Sequence, residues 1–161
     1  MSIAENIAAV RARIAAAAES AGRRPEEILL VGASKMNDAA ACREAIAGGL
    51  TALGENRVQE LLEKDAQGAY AGAALHFIGR LQRNKVKYLV GRVDLIESID
   101  SLPLLQEVQH LAEKRGVTQD ILLEVSAAGE ESKGGLPISE VYSAAEAALG
   151  MPNVRVRGLM T

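Results

Sequence analysis

Ile28-Leu29-Leu30-Val31-Gly32-Ala33 is an unbroken apolar run that stops at Ser34-Lys35. A run this short, opened by Pro25 and closed by polar residues, reads as a strand buried on both faces, the signature of a parallel sheet. The chain before it reads as an amphipathic helix over 2–21. Ile3, Ile7, Val10 and Ile14 recur at helical spacing, Ser2 and Glu5 form a capping box, and Gly22 ends the helix.

After it the same alternation repeats. Helical periodicity over 38–46 closes on Gly48-Gly49, and a short strand is expected over 50–54. Val58, Leu61, Leu62 and Ala66 mark a helix, and 75–79 a third strand. Asn84 is expected to cap a helix carrying Val86, Leu89 and Val90, followed by a strand over 93–99. Ser101 caps a longer helix with Leu105, Val108 and Ala112 on one face and Gly116 at its end. A strand over 121–125, a helix with Val141, Ala145, Ala148 and Leu149, and a last strand over 154–160 complete the series. Strands alternating with helices imply a parallel α/β sheet with right-handed crossovers. An open doubly wound sheet and a (β/α) barrel both fit this spacing. A complete barrel of eight units takes ~250 residues, so six strands would be an incomplete one. The whole chain, 1–161, is read as a single domain.

Composition narrows the function. The chain is 48% hydrophobic and 24% charged, with no Trp, one Phe and three Tyr, so its core must be aliphatic. The net charge of -3 is spread along the chain, which leaves no basic stripe or stacking platform for nucleic acid. Cys42 is the one cysteine, so no internal disulfide forms, and a reducing compartment is the simple reading. No stretch approaches ~20 uninterrupted apolar residues, which excludes a membrane helix. The N-terminus lacks the apolar core of a signal peptide, and a cytoplasmic location is expected. One Cys and two distant His cannot build a zinc site, so no metal is expected. Neither GxGxxG nor GxxxxGK[ST] occurs.

Sites in parallel α/β folds form at the carboxyl ends of the strands. Those ends here carry Ser34-Lys35, Glu55-Asn56, Arg80, Glu97-Ser98 with Asp100, and Ser126 followed by 129–135. Such a ring of amines, amides and hydroxyls suits a small molecule, although strand ends meeting water are polar in any case. Lys35 is the sharpest candidate. A lysine whose stem starts inside an apolar mouth loses affinity for its proton, and only the neutral amine attacks a carbonyl. The competing reading is a solvated lysine at a strand end. Glu55 and Asn56 could orient a ring by hydrogen bonding, or could cap the helix that begins at Val58. His76, inside an apolar strand, reads as a hydrogen-bonded packing residue, and Cys42 as buried filler.

Leu30-Val-Gly-Ala-Ser-Lys35, Gly54-Glu-Asn-Arg-Val-Gln-Glu60, His76-Phe-Ile-Gly-Arg-Leu-Gln-Arg-Asn-Lys85 and Gly129-Glu-Glu-Ser-Lys-Gly134, closed by Arg157-Gly-Leu-Met-Thr161, together resemble one family in order and spacing. It is the pyridoxal phosphate homeostasis protein family, related to the N-terminal barrel domain of alanine racemase. The resemblance spans essentially the whole chain. It implies a TIM-type (β/α) barrel of the alanine racemase N-terminal type, here incomplete with about six strands. It implies Lys35 as the lysine that forms a Schiff base with pyridoxal 5'-phosphate (PLP). Ser34 and Asn56 would line the cofactor pocket. The implied role is PLP homeostasis and delivery to apo PLP-dependent enzymes, without robust catalysis and with no catalytic residue assigned. A racemase-like enzyme is the alternative, but racemisation needs a second base, which racemases take from a tyrosine of an added β-domain. Ser126 stands where the family usually has Asn. In the loop after it, Lys133 is expected to receive or repel PLP during transfer, held by Glu130. Family members continue through two further βα units whose Ser, Gly and Thr donors hold the cofactor phosphate. This chain stops at Thr161, so weak or lost PLP binding is expected of it.

Overall fold

A computed structural model describes residues 2–127 and 134–161. Its elements run α1 (Ile3–Ser20), β1 (Val31–Ala33), α2 (Ala39–Ala47), β2 (Ala52–Glu55), α3 (Val58–Asp65), β3 (Ala74–Phe77), β4 (Leu95–Ile99), α4 (Leu102–Arg115), β5 (Gln119–Ser126), β6 (Leu136–Pro137), α5 (Ile138–Leu149) and β7 (Val154–Met160). The chain forms two compact units. One holds Met1–Glu55 and Gln59–Leu75, the other Asn56–Val58 and His76–Thr161.

In the first unit, α1 starts where the sequence places it. Ser2 Oγ accepts from Glu5 N at 3.2 Å, and Glu5 Oε2 accepts from Ser2 N at 2.7 Å, the reciprocal capping box. Asp38 caps α2 by accepting from Ala41 N at 2.8 Å. β1 pairs in parallel with β2, Gly32 opposite Leu53 and Ala33 opposite Gly54. The run from Ile28 is mostly not strand. A 3-10 turn at Pro25–Glu27 precedes it, Leu29 is 57% exposed, and only Val31–Ala33 forms a ladder. β1 is not buried on both faces: Val31 and Gly32 are half-buried and Ala33 is exposed, and among the described residues it is an edge strand with β2 as its one neighbour. β2 is fully buried, and Ala52, Leu53, Leu61, Ala69 and Tyr70 form the core of this unit.

In the second unit, β3, β4, β5 and β7 pair successively in parallel. His76 stands opposite Leu95, Ile96 opposite Ile121, and Ile121 opposite Val156. β6 is a two-residue strand that joins the end of β5 in parallel, Val125 opposite Leu136; the sequence did not signal it. The expected helix at Asn84 is a 3-10 helix over Arg83–Tyr88, entered at Gln82 without a side-chain cap. α4 ends as read, with Gly116 in the left-handed region at φ 65°. Phe77, the lone phenylalanine, is buried, as are Val86, Leu89, Ile96, Ile99, Leu105, Ile121 and Leu123, so the core is aliphatic as composition requires.

Candidate functional site

Lys35 occupies the second position of a turn. Asn37 N donates to Ser34 O at 3.1 Å, leaving Lys35 and Met36 at the centre. Met36 has φ 64°, the positive value that a type II turn requires at its third position. It is the one non-glycine among the described residues with positive φ. Lys35 is exposed, and its ammonium makes no hydrogen bond or ion pair among the described residues. The expected desolvated stem is therefore not seen. The residue that β1 turns inward at its end is Ser34, which is 4% exposed.

Beneath the turn lies a buried polar cluster. Glu55, at the end of β2, is fully buried. Its Oε1 accepts from Ser34 Oγ at 2.6 Å, Lys64 Nζ at 2.7 Å and Tyr70 OH at 3.1 Å. Lys64, 6% exposed on α3, also donates to Ser34 O at 2.8 Å and Glu60 Oε1 at 2.9 Å. All three ammonium protons are thereby used. Glu60 Oε1 in turn accepts from Met36 N at 2.7 Å. Burial alone would pull the Lys64 pKa down; its bonds to Glu55 and Glu60 outweigh this and hold it above the ordinary lysine value. Burial, reinforced by the Glu55 charge, pushes the Tyr70 phenol far above its usual range. Burial raises the Cys42 thiol, against the nearby Lys64 charge.

Sequence reasoning missed Lys64. The available signal was Glu60 and Lys64 at i,i+4 on a helix that follows a buried strand end. It also gave Glu55 a ring-orienting or capping role, whereas Glu55 holds Lys64, Ser34 and Tyr70. The Ser34 hydroxyl, read as a pocket lining, is committed to Glu55 and to Gly54 O at 3.2 Å.

In the second unit, Asn56 passes directly against Gly79. A Cβ built on Gly79 would lie 2.3 Å from Asn56 O, so only glycine fits there. Asn56 Oδ1 is buried and has no hydrogen-bond partner among the described residues; Ser98 Oγ is in the same state. His76 is buried and its Nδ1 lies 2.7 Å from Glu97 Oε1, the hydrogen-bonded packing residue expected of it. Ser126 is half-buried at the end of β5, opposite Pro137. Burial first, then the Asp100 charge, raises the Glu124 carboxyl despite Arg80. Glu130 and Lys133 lie outside the described residues.

Residues 5–161 match the family model for the alanine racemase N-terminal domain. A pyridoxal phosphate homeostasis protein of Aquifex aeolicus is 45% identical over 161 residues, which is 100% of this chain and 71% of that protein. The chain belongs to the pyridoxal phosphate homeostasis protein family. A crystal structure of an unknown protein from Bifidobacterium adolescentis superposes with a TM-score of 0.91 at 35% identity, covering 99% of this chain and 68% of that one. PipY of Synechococcus elongatus PCC7942, solved with PLP bound, superposes with a TM-score of 0.83 at 31% identity, covering 98% and 69%. The parallel α/β fold of the alanine racemase N-terminal type, expected from the sequence, is the fold of this chain. Its similarity to other members of the homeostasis family runs through both compact units.

Proposed function

We propose that this chain binds PLP through Lys35 and serves in holding and delivering the cofactor. The observation that carries this reading is similarity over the whole of this chain to pyridoxal phosphate homeostasis proteins, combined with a lysine just past β1 whose ammonium has no partner among the described residues. PLP supplies an aldehyde carbon that a neutral lysine amine can attack with loss of water. The residues present suit such a ligand. Lys35 has an amine with no competing partner among the described residues. Ser34 supports the site by fixing the strand end through Glu55. Asn56 and Ser126 are proposed as further cofactor contacts. Lys133, held by Glu130, is proposed to act in transfer to apo PLP-dependent enzymes. No helix among the described residues is long and apolar enough to cross a membrane, and action in the cytoplasm accords with this reading.

The test is absorbance of the purified protein with added PLP, followed by borohydride reduction and peptide mass spectrometry. The pyridoxyl group is expected on Lys35, and Lys35→Ala should remove the spectral change. A label mainly on Lys85 or Lys133 would refute the assignment.

A further inference from the structure

The backbone on both sides of Lys35 is tied to one buried charge cluster, while its ammonium has no partner among the described residues. On the amino side, Ser34 O accepts from Lys64 Nζ at 2.8 Å and Ser34 Oγ donates to Glu55 Oε1 at 2.6 Å. On the carboxyl side, Met36 N donates to Glu60 Oε1 at 2.7 Å. Lys64 bridges the two carboxylates at 2.7 and 2.9 Å, so the three side chains act as a unit. Met36 sits at φ 64° and is 92% exposed, so no side-chain packing of its own holds it in that conformation. A β-carbon disfavours this backbone region, which persists where surrounding contacts over-determine it. Around it the turn has its own bond from Asn37 N to Ser34 O at 3.1 Å and one from Asn37 Nδ2 to Lys35 O at 3.2 Å. The charge-assisted bond that Met36 N donates to Glu60 is the one that ties Met36 itself to the cluster.

We propose that Glu60, Lys64 and Glu55 form a positioning device for Lys35, fixing the turn so that its amine is presented to the cofactor at a constant place. The cluster also selects between two lysines. Lys64 has every proton engaged by an acceptor and its charged form favoured, so it does not compete as a nucleophile. Lys35 has no such partners. This inference rests on the reading of Lys35 as the cofactor lysine. Glu60 is a positioning residue here, since it touches Lys35 only through the Met36 amide.

The test compares Glu60→Ala and Glu60→Gln in the full chain, with two readouts. The first needs no cofactor: hydrogen exchange of the Met36 amide, followed by NMR. Glu60→Ala should speed it by about tenfold or more, the amides of β2 should not change, and Glu60→Gln, which keeps an acceptor oxygen, should restore most of the protection. The second is the rate of borohydride-trapped labelling of Lys35 by PLP, which should fall about tenfold in Glu60→Ala and recover in Glu60→Gln. Unchanged Met36 exchange in Glu60→Ala would overturn the hold on the turn. Normal Lys35 labelling despite lost Met36 protection would overturn its positioning role. Lost protection with no label on Lys35 in the parent protein would instead overturn the cofactor reading and leave the hold on the turn standing.

Discussion

At the scale of single residues, the deciding group is one the sequence made hard to see. Lys35 was legible because it ends an apolar run, a pattern carried by neighbours in the chain. Lys64 was not, because its burial depends on Ser34 and Glu55, 30 and 9 residues away. A buried ion pair is weak evidence of net stability, but removing one partner strands the other charge. Lys64→Met should therefore lose about 3–5 kcal/mol, read from urea unfolding. The pH dependence follows from the same cluster. The native state holds the Lys64 and Tyr70 protons more tightly than the unfolded chain does, since both pKa values are raised above their ordinary 10.5 and 10.0. Stability from these groups is complete below pH 10 and is lost as pH rises beyond it, because the unfolded state then sheds protons that the native state keeps. The urea midpoint should accordingly fall above pH 10. It should fall less steeply in the Lys64→Met, Tyr70→Phe double variant. An equal slope in both proteins would remove this cluster as the cause.

At the scale of elements, periodicity located nearly every helix and strand, and the departures are local. β1 shrank to Val31–Ala33 because a ladder needs a partner, and only those residues face β2. The helix expected at Asn84 is a 3-10 helix over Arg83–Tyr88, entered two residues before the expected cap. β6 escaped notice because two residues, Leu136 and Pro137, carry no periodicity. The exit of β3 makes a sharper demand. Gly79 lies so close to Asn56 that an added methyl would meet three backbone atoms of that residue within 2.7 Å. Backbone cannot rotate aside as a flexible side chain can. Gly79→Ala should lower stability by about 1–3 kcal/mol, seen in thermal unfolding, and should shift the Asn56 amide resonances as its peptide moves. A silent substitution would mean that the two segments are free to separate.

At the scale of the whole molecule, the similarity to PLP-binding relatives raises the question of catalysis on amino acids. Racemisation requires a base on each face of the reacting carbon, and Lys35 could serve one face only. The second base in a racemase is a tyrosine, and this chain has three. Tyr70 is 5% exposed, donates its hydroxyl to Glu55, and has its phenolate strongly disfavoured, so it is poorly suited to take up a proton from substrate. Tyr88 lies on the 3-10 helix with Lys85 and Lys87 over its ring at 5.6 and 5.2 Å. Tyr142 is 86% exposed on α5. Tyr70 lies in the turns that follow α3, where its hydroxyl reaches Glu55 at the end of β2 but is held there as a buried donor. We therefore expect no amino-acid racemisation when PLP and L- or D-alanine are supplied. The measurement is exchange of the α-proton for deuterium by NMR, with Lys35→Ala as the control. Lys35-dependent exchange that inverts configuration would require a second base that none of these tyrosines provides.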